Sequence, residues 1–121
     1  MLDCLFVGLG GFAGTVCRYL AGRIPVETGG AFPIQTLLIN ILGAFVLGAI
    51  SALAAKNPDL PPRLVLMLRV GVCGGFTTFS TFAFESSALL AGGRATAAAL
   101  YMAASLILGI GAVFAAQLLI R

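Results

Sequence analysis

Histidine and tryptophan are absent from this sequence, and charge is scarce, at 9% of 121 residues. An average soluble domain carries about 25%. Without histidine there is no His-containing zinc site and no imidazole proton relay. Seven Lys and Arg against four Asp and Glu leave a net charge of +3. That surplus forms no basic cluster able to bind phosphates, so it reads as loop charge and argues against a nucleic-acid partner. Cysteine is sparse: Cys4, Cys17 and Cys73 all fall in apolar segments. Free thiols there are expected to be small buried residues, not redox groups or metal ligands. Alternating polarity is also missing, whereas transmembrane barrel strands alternate over about 10 residues. What is present is 60% hydrophobic residues in continuous runs. So few charges cannot coat a globule in water, and the chain must keep apolar faces in lipid.

A spanning helix needs about 20 apolar residues. Residues 1–121 therefore read as a single unit, an all-α membrane protein of four transmembrane helices with no room for a second domain. Helix 1 is predicted from Leu2 to Ala21, helix 2 from Pro33 to Ala55, helix 3 from Arg63 to about Leu90, and helix 4 from Ala95 to Ile120. Pro25, Glu27, Gly29 and Gly30 mark the first loop, Lys56 to Pro62 the second, and Gly92-Gly93-Arg94 the third. Asp3 precedes the first apolar run and no basic residue does. That makes a poor signal peptide, so helix 1 is expected to stay in the mature protein.

Lys56, Arg63, Arg69 and Arg121 fall toward the side of the termini, and Arg18, Arg23 and Arg94 toward the other. This is almost no positive-inside bias. Either other forces orient the chain, or it inserts both ways and pairs antiparallel. Charge balance leaves both readings open.

Several residues need an explanation. Gly10 with Gly14, and Gly71 with Gly75, place small residues four apart, a spacing that lets helices approach closely in lipid. Arg18 lies inside helix 1, where Arg costs up to about 2.5–3.5 kcal/mol at the centre of a span. It either snorkels to the interface or serves a vestibule that attracts anions. Asn40 stands in an otherwise apolar helix, so its amide must find partners inside protein. It glues helices together or donates to a permeant ion. Tyr101 lies roughly 9 Å inside helix 4 at 1.5 Å per residue, deep enough for its hydroxyl to face protein or water.

The segment Gly74-Gly75-Phe76-Thr77-Thr78-Phe79-Ser80-Thr81-Phe82 concentrates the argument. Paired glycines weaken a helix by about 1 kcal/mol each, and hydroxyls then crowd in at bilayer depth. Such a pattern predicts that helix 3 is broken mid-membrane, at Gly74-Gly75. Unwound backbone is tolerated there only when buried or lining a cavity, and freed carbonyls can bind a cation. Phe76, Phe79 and Phe82 fall three apart, as do Thr77 with Ser80 and Thr78 with Thr81, so each set shares a helix face. Phenyl edges carry partial positive charge. Together with hydroxyl protons they can replace the hydration of a small anion.

At these residues the chain resembles the Fluc family of fluoride channels, also called CrcB. The strongest motif is Gly74 to Phe82. Gly10-Gly11-Phe12-Ala13-Gly14 with Arg18-Tyr19, and Thr36-Leu37-Leu38-Ile39-Asn40 with Gly43, support it. The resemblance implies an antiparallel, dual-topology homodimer with two pores along the subunit interface, in the plasma or inner membrane. It implies a fluoride path past Phe79, Phe82, Asn40, Ser80, Thr81, Tyr101, Ser105 and Arg18. It also implies a structural Na⁺ held at the dimer interface by the backbone carbonyls of Gly74 and Thr77. Gly109 stands where relatives can carry another hydroxyl, and Gln35 where glycine is expected before Thr36. The expected activity is passive fluoride exit from the cytoplasm, which lowers fluoride toxicity, with no catalysis. The rival readings are a proton-coupled small multidrug transporter, which needs a membrane-embedded carboxylate, and a non-transporting assembly. Glu85 is placed well past the break, and the hydroxyl-phenyl stripe has no use in an assembly.

Overall fold

A computed structural model describes residues 1–121. Helix α1 is Leu2–Gly22, α2 Ile34–Lys56, α3 Pro62–Leu66, α4 Gly74–Phe76, α5 Phe79–Ala91 and α6 Ala95–Leu119. A π-helical stretch, Met67–Cys73, joins α3 to α4. Four segments are long and apolar enough to cross a membrane: α1, α2, the composite third span Pro62–Ala91, and α6. The expected spans agree with these to within one or two residues. Pro33 is the N-cap of α2 and not its first helical residue.

Only 14 of 121 residues are buried within the protomer, so stability comes from tight seams and not from a large core. Along one seam α1 lies against the third span. A Cβ on Gly71 would come within 2.8 Å of the Gly10 Cα, and a Cβ on Gly75 within 2.6 Å of the Gly11 carbonyl oxygen. Backbone touches backbone there, and only glycine permits it. Along the other seam α2 packs on α6, with Gly48 against Val113 and fully buried Ala98 and Ala116 between them. The outer faces carry Leu5, Leu9, Phe12, Leu106, Ile107 and Leu118 in exposed positions, as a lipid-facing surface requires. Cys73 is buried as expected. Cys4 and Cys17 are not, because both lie on the outer face of α1.

The third span departs most from expectation. Gly74 and Gly75 stay helical. The break falls instead at Thr77 (φ −80°, ψ 157°) and Thr78 (φ −148°, ψ 112°), both extended. Phe76 therefore lies before the break and does not share a row with Phe79 and Phe82. After α5 the chain turns through Gly93 at φ +73°, with Arg94 N–H donating to the Leu89 carbonyl at 2.9 Å. That six-to-one bond closes the helix in a Schellman turn. At the other face, Asp3 and Arg63 pair at 2.9 Å, both more than half exposed. The pair sets the starts of the first and third spans side by side but adds little stability.

Candidate ion-conducting site

A break at bilayer depth strands backbone groups that water cannot reach, and side chains here take them over. Thr78 N–H, which would donate to Gly74 in a continuous helix, donates to Asn40 Oδ1 at 2.8 Å. Asn40 Nδ2 donates to the Thr78 carbonyl at 3.1 Å. Thr81 N–H, which would donate to Thr77, donates to Thr78 Oγ1 at 3.2 Å and caps α5. Arg18 Nε donates to the Gly75 carbonyl at 3.0 Å. The carbonyls of Gly74 and Thr77 have thus lost their helical donors. No cluster of His, Cys, Asp and Glu could hold a metal, so any cation here meets carbonyl oxygen. Oxygen donors of this kind suit a hard cation.

Beyond the break, Phe79, Phe82, Asn40, Ser105 and Thr77 line one open groove of about 310 Å³. Phe79 is 78% exposed at its mouth, with its ring centroid 5.7 Å from that of Phe82. The aromatic row continues from Phe82 to Tyr101 at 5.2 Å and from Tyr101 to Phe32 at 5.7 Å, edge to face. Ser105 Oγ is buried and has no hydrogen-bond partner. Asn40 spends one of its two amide protons on Thr78, which leaves the other free. The groove therefore presents phenyl rings and uncommitted donors, the complement of a small anion.

Arg18 and Thr81 meet in a second cleft of about 380 Å³, with Arg23, Thr36 and Thr78. The Thr81 hydroxyl accepts from Thr78 Oγ1 at 3.0 Å and keeps its own proton. Ser80 is exposed beside Thr78, 3.4 Å between hydroxyl oxygens. Tyr101 is fully buried behind Phe82, and its hydroxyl donates to Glu85 Oε2 at 2.7 Å. In this conformation Tyr101 offers the row its ring and not its proton.

The sequence places Glu85 past the break and assigns it no role, and the part that Thr36 plays is not visible there either. Thr36 Oγ1 donates to Glu85 Oε1 at 2.8 Å, so each oxygen of a carboxylate inside the third span is met by a hydroxyl. The signal was available: Glu85 extends the row Phe79, Phe82 by the same step of three. In the sequence Thr78 is one of a hydroxyl cluster, and nothing there marks its backbone role.

Comparison with known proteins shows the chain's family. The family described as "CrcB-like protein, Camphor Resistance (CrcB)" matches residues 5–117. A relative from Chlorobaculum tepidum, named "Fluoride-specific ion channel FluC", is 45% identical over all of this chain and 96% of its own length. One of the same name from Prosthecochloris aestuarii is 47% identical over 87% of this chain and 82% of its own. Another from Anaeromyxobacter dehalogenans is 43% identical over all of this chain and 97% of its own. With four membrane-crossing helices and matches end to end, the chain is a multi-pass membrane protein that belongs to the CrcB family.

Proposed function

We propose that the chain is a subunit of a fluoride-selective channel that lets fluoride leave the cytoplasm passively and so lowers its toxicity. The observation that carries this reading is the groove in which the unpartnered Ser105 hydroxyl and the spare Asn40 N–H stand beside Phe79 and Phe82. Fluoride loses water at a high cost in a low-dielectric path, and these donors and ring edges offset part of it. The relatives' names, fluoride-specific ion channels, support the same reading. A negative-inside potential adds about 2.3 kcal/mol per charge per 100 mV in favour of exit.

The functional unit in this reading is an antiparallel homodimer of dual topology, embedded in the cell's plasma or inner membrane. The near-even Lys/Arg balance supports it, and so does a groove whose open side and exposed Phe79 ask for a second wall. At the dimer interface the Gly74 and Thr77 carbonyls, freed at the break, would hold a structural Na⁺. In the path itself, Phe79, Phe82, Asn40 and Ser105 form the groove, Ser80 and Thr81 supply hydroxyls at its edge, and Tyr101 backs the rings.

One observation favours a second reading. Glu85 lies within the third span and is held by Thr36 and Tyr101, so a membrane-embedded carboxylate of the kind that a proton-coupled transporter needs is present. Liposomes loaded with fluoride or chloride separate the readings. The channel reading expects fast fluoride release, little chloride release, and a fluoride rate that follows voltage without needing a proton gradient. Release that requires a proton gradient selects the coupled transporter. Fast chloride release, or no fluoride release, rejects a fluoride-selective channel.

A further inference from the structure

Arg18 is the one cation that hydrogen-bonds at the break, and its contact is specific. The chain's single ion pair joins Arg63 to Asp3, so no carboxylate neutralises Arg18. Its Nε instead donates to the Gly75 carbonyl at 3.0 Å, and Thr15 Oγ1 reaches the same oxygen at 3.5 Å. In a continuous helix that carbonyl would accept from Phe79 N–H, which the extended Thr77 and Thr78 carry away. The approach is built into the packing, because Gly75 lies backbone to backbone against Gly11 and Thr15 of α1. Gly74, by contrast, is exposed and a Cβ there would meet nothing. Neighbours thus differ along the break: a Cβ on Gly74 would face open space, the Gly75 carbonyl meets Arg18 of α1, and the Thr78 carbonyl meets Asn40 of α2.

We infer that Arg18 is a positioning residue that latches the helix break through the Gly75 carbonyl, opposite the Asn40 clamp on Thr78, and does not act as a bait for anions. This rests on the channel reading above. Its charge strengthens the hydrogen bond, but the function lies in the donor. Thr15 at 3.5 Å is too distant to replace it, and a half-buried carbonyl that loses its main donor is costly. Without the latch, the first half of the span is free to turn and Phe79 leaves its place.

Side-chain length separates the two roles. In Gln the amide nitrogen sits as many bonds from Cα as Nε does in Arg, so Arg18→Gln keeps the donor and loses the charge. Arg18→Met keeps the length and loses both. Fluoride release from liposomes is measured for parent and variants at low and high fluoride. The latch expects the Gln variant within about threefold of the parent, and the Met variant slower by about tenfold or more at both concentrations. Gln and Met equally slow, or a deficit that shrinks as fluoride rises, overturns the latch in favour of anion attraction. Parent-like rates in both overturn it as well. Should the Met variant not fold, Gln decides alone: a rate below about a tenth of the parent's refutes the latch. A parent that releases no fluoride rejects the channel reading itself, a result distinct from all of these.

Discussion

Asn40 is the position where geometry makes its sharpest demand. Its amide accepts from Thr78 N–H at 2.8 Å and donates to the Thr78 carbonyl at 3.1 Å. Replacement by Leu keeps the bulk and strands both backbone groups. Each stranded group costs about 1–3 kcal/mol, so the variant loses about 2–6 kcal/mol, a large part of the usual 5–15 kcal/mol of stability. Replacement by Asp keeps the acceptor for Thr78 N–H and strands only the Thr78 carbonyl, about 1–3 kcal/mol, half the cost of Leu. It also sets a negative charge on the wall of the groove. Against an anion about 4 Å away, that charge costs about 4 kcal/mol at an effective dielectric of about 20. At about 1.4 kcal/mol per factor of ten, fluoride release slows roughly a thousandfold. The assay is efflux from liposomes read by a fluoride electrode, beside thermal melting in detergent. An Asp variant that conducts within tenfold of the parent at alkaline pH, where its carboxyl is ionised, would show that the ion does not pass Asn40. A Leu variant that melts with the parent would show that the clamp is dispensable.

Phe79→Ile and Phe82→Ile keep apolar volume, cost less than about 1.5 kcal/mol in packing, and lose the ring edge. Dimers should purify while fluoride efflux falls sharply at one position or both, and parent-like efflux from both reduces the rings to packing. Gly75→Ala places a Cβ 2.6 Å from the Gly11 carbonyl oxygen. Since backbone cannot yield as a flexible side chain does, melting should show a loss of about 1–3 kcal/mol, and an unshifted melt would mean that the α1 seam is looser than described. Single cysteines in the 56–62 loop of a Cys-free chain should label from both sides of the membrane, and labelling from one side alone excludes dual topology.

The spans were legible because lipid imposes a residue-by-residue cost that composition records directly. The break was legible in kind but not in place. Gly74-Gly75 is the weakest helical pair by propensity, yet propensity lost to context. Gly75 is held in the helix by its contact with α1, where its missing Cβ is what the packing uses. Thr77 and Thr78 leave the helix because substitutes for its hydrogen bonds wait on other elements, in the Asn40 amide and the Thr78 hydroxyl. β-branched residues also take extended backbone readily. No local pattern records a partner 38 residues away. The π-helical stretch Met67–Cys73 was equally hidden, since it shifts the register of Gly71 against Gly10 without changing residue types.

Hydroxyls show the same limit and carry the last prediction. A sequence counts hydroxyls at bilayer depth but not which keep a free proton. Thr77 gives its proton to the Cys73 carbonyl at 2.9 Å, Ser86 to the Phe82 carbonyl at 2.8 Å, and Thr36 and Tyr101 theirs to Glu85. Ser105 alone among the buried side-chain groups has no partner, and its residue lines the groove. For folding this is a cost, and for an anion it is an invitation. Ser105→Ala should therefore move stability and conduction in opposite directions. Removing an unsatisfied buried hydroxyl relieves about 1 kcal/mol or leaves melting unchanged. Losing a donor to a charged ion, a bond of about 1.5–3 kcal/mol, slows fluoride release by about tenfold or more. A mutation that disturbs packing lowers both quantities together. If Ser105→Ala melts earlier and conducts more slowly, Ser105 is structural; if it conducts as the parent does, the ion takes its hydrogen bonds elsewhere.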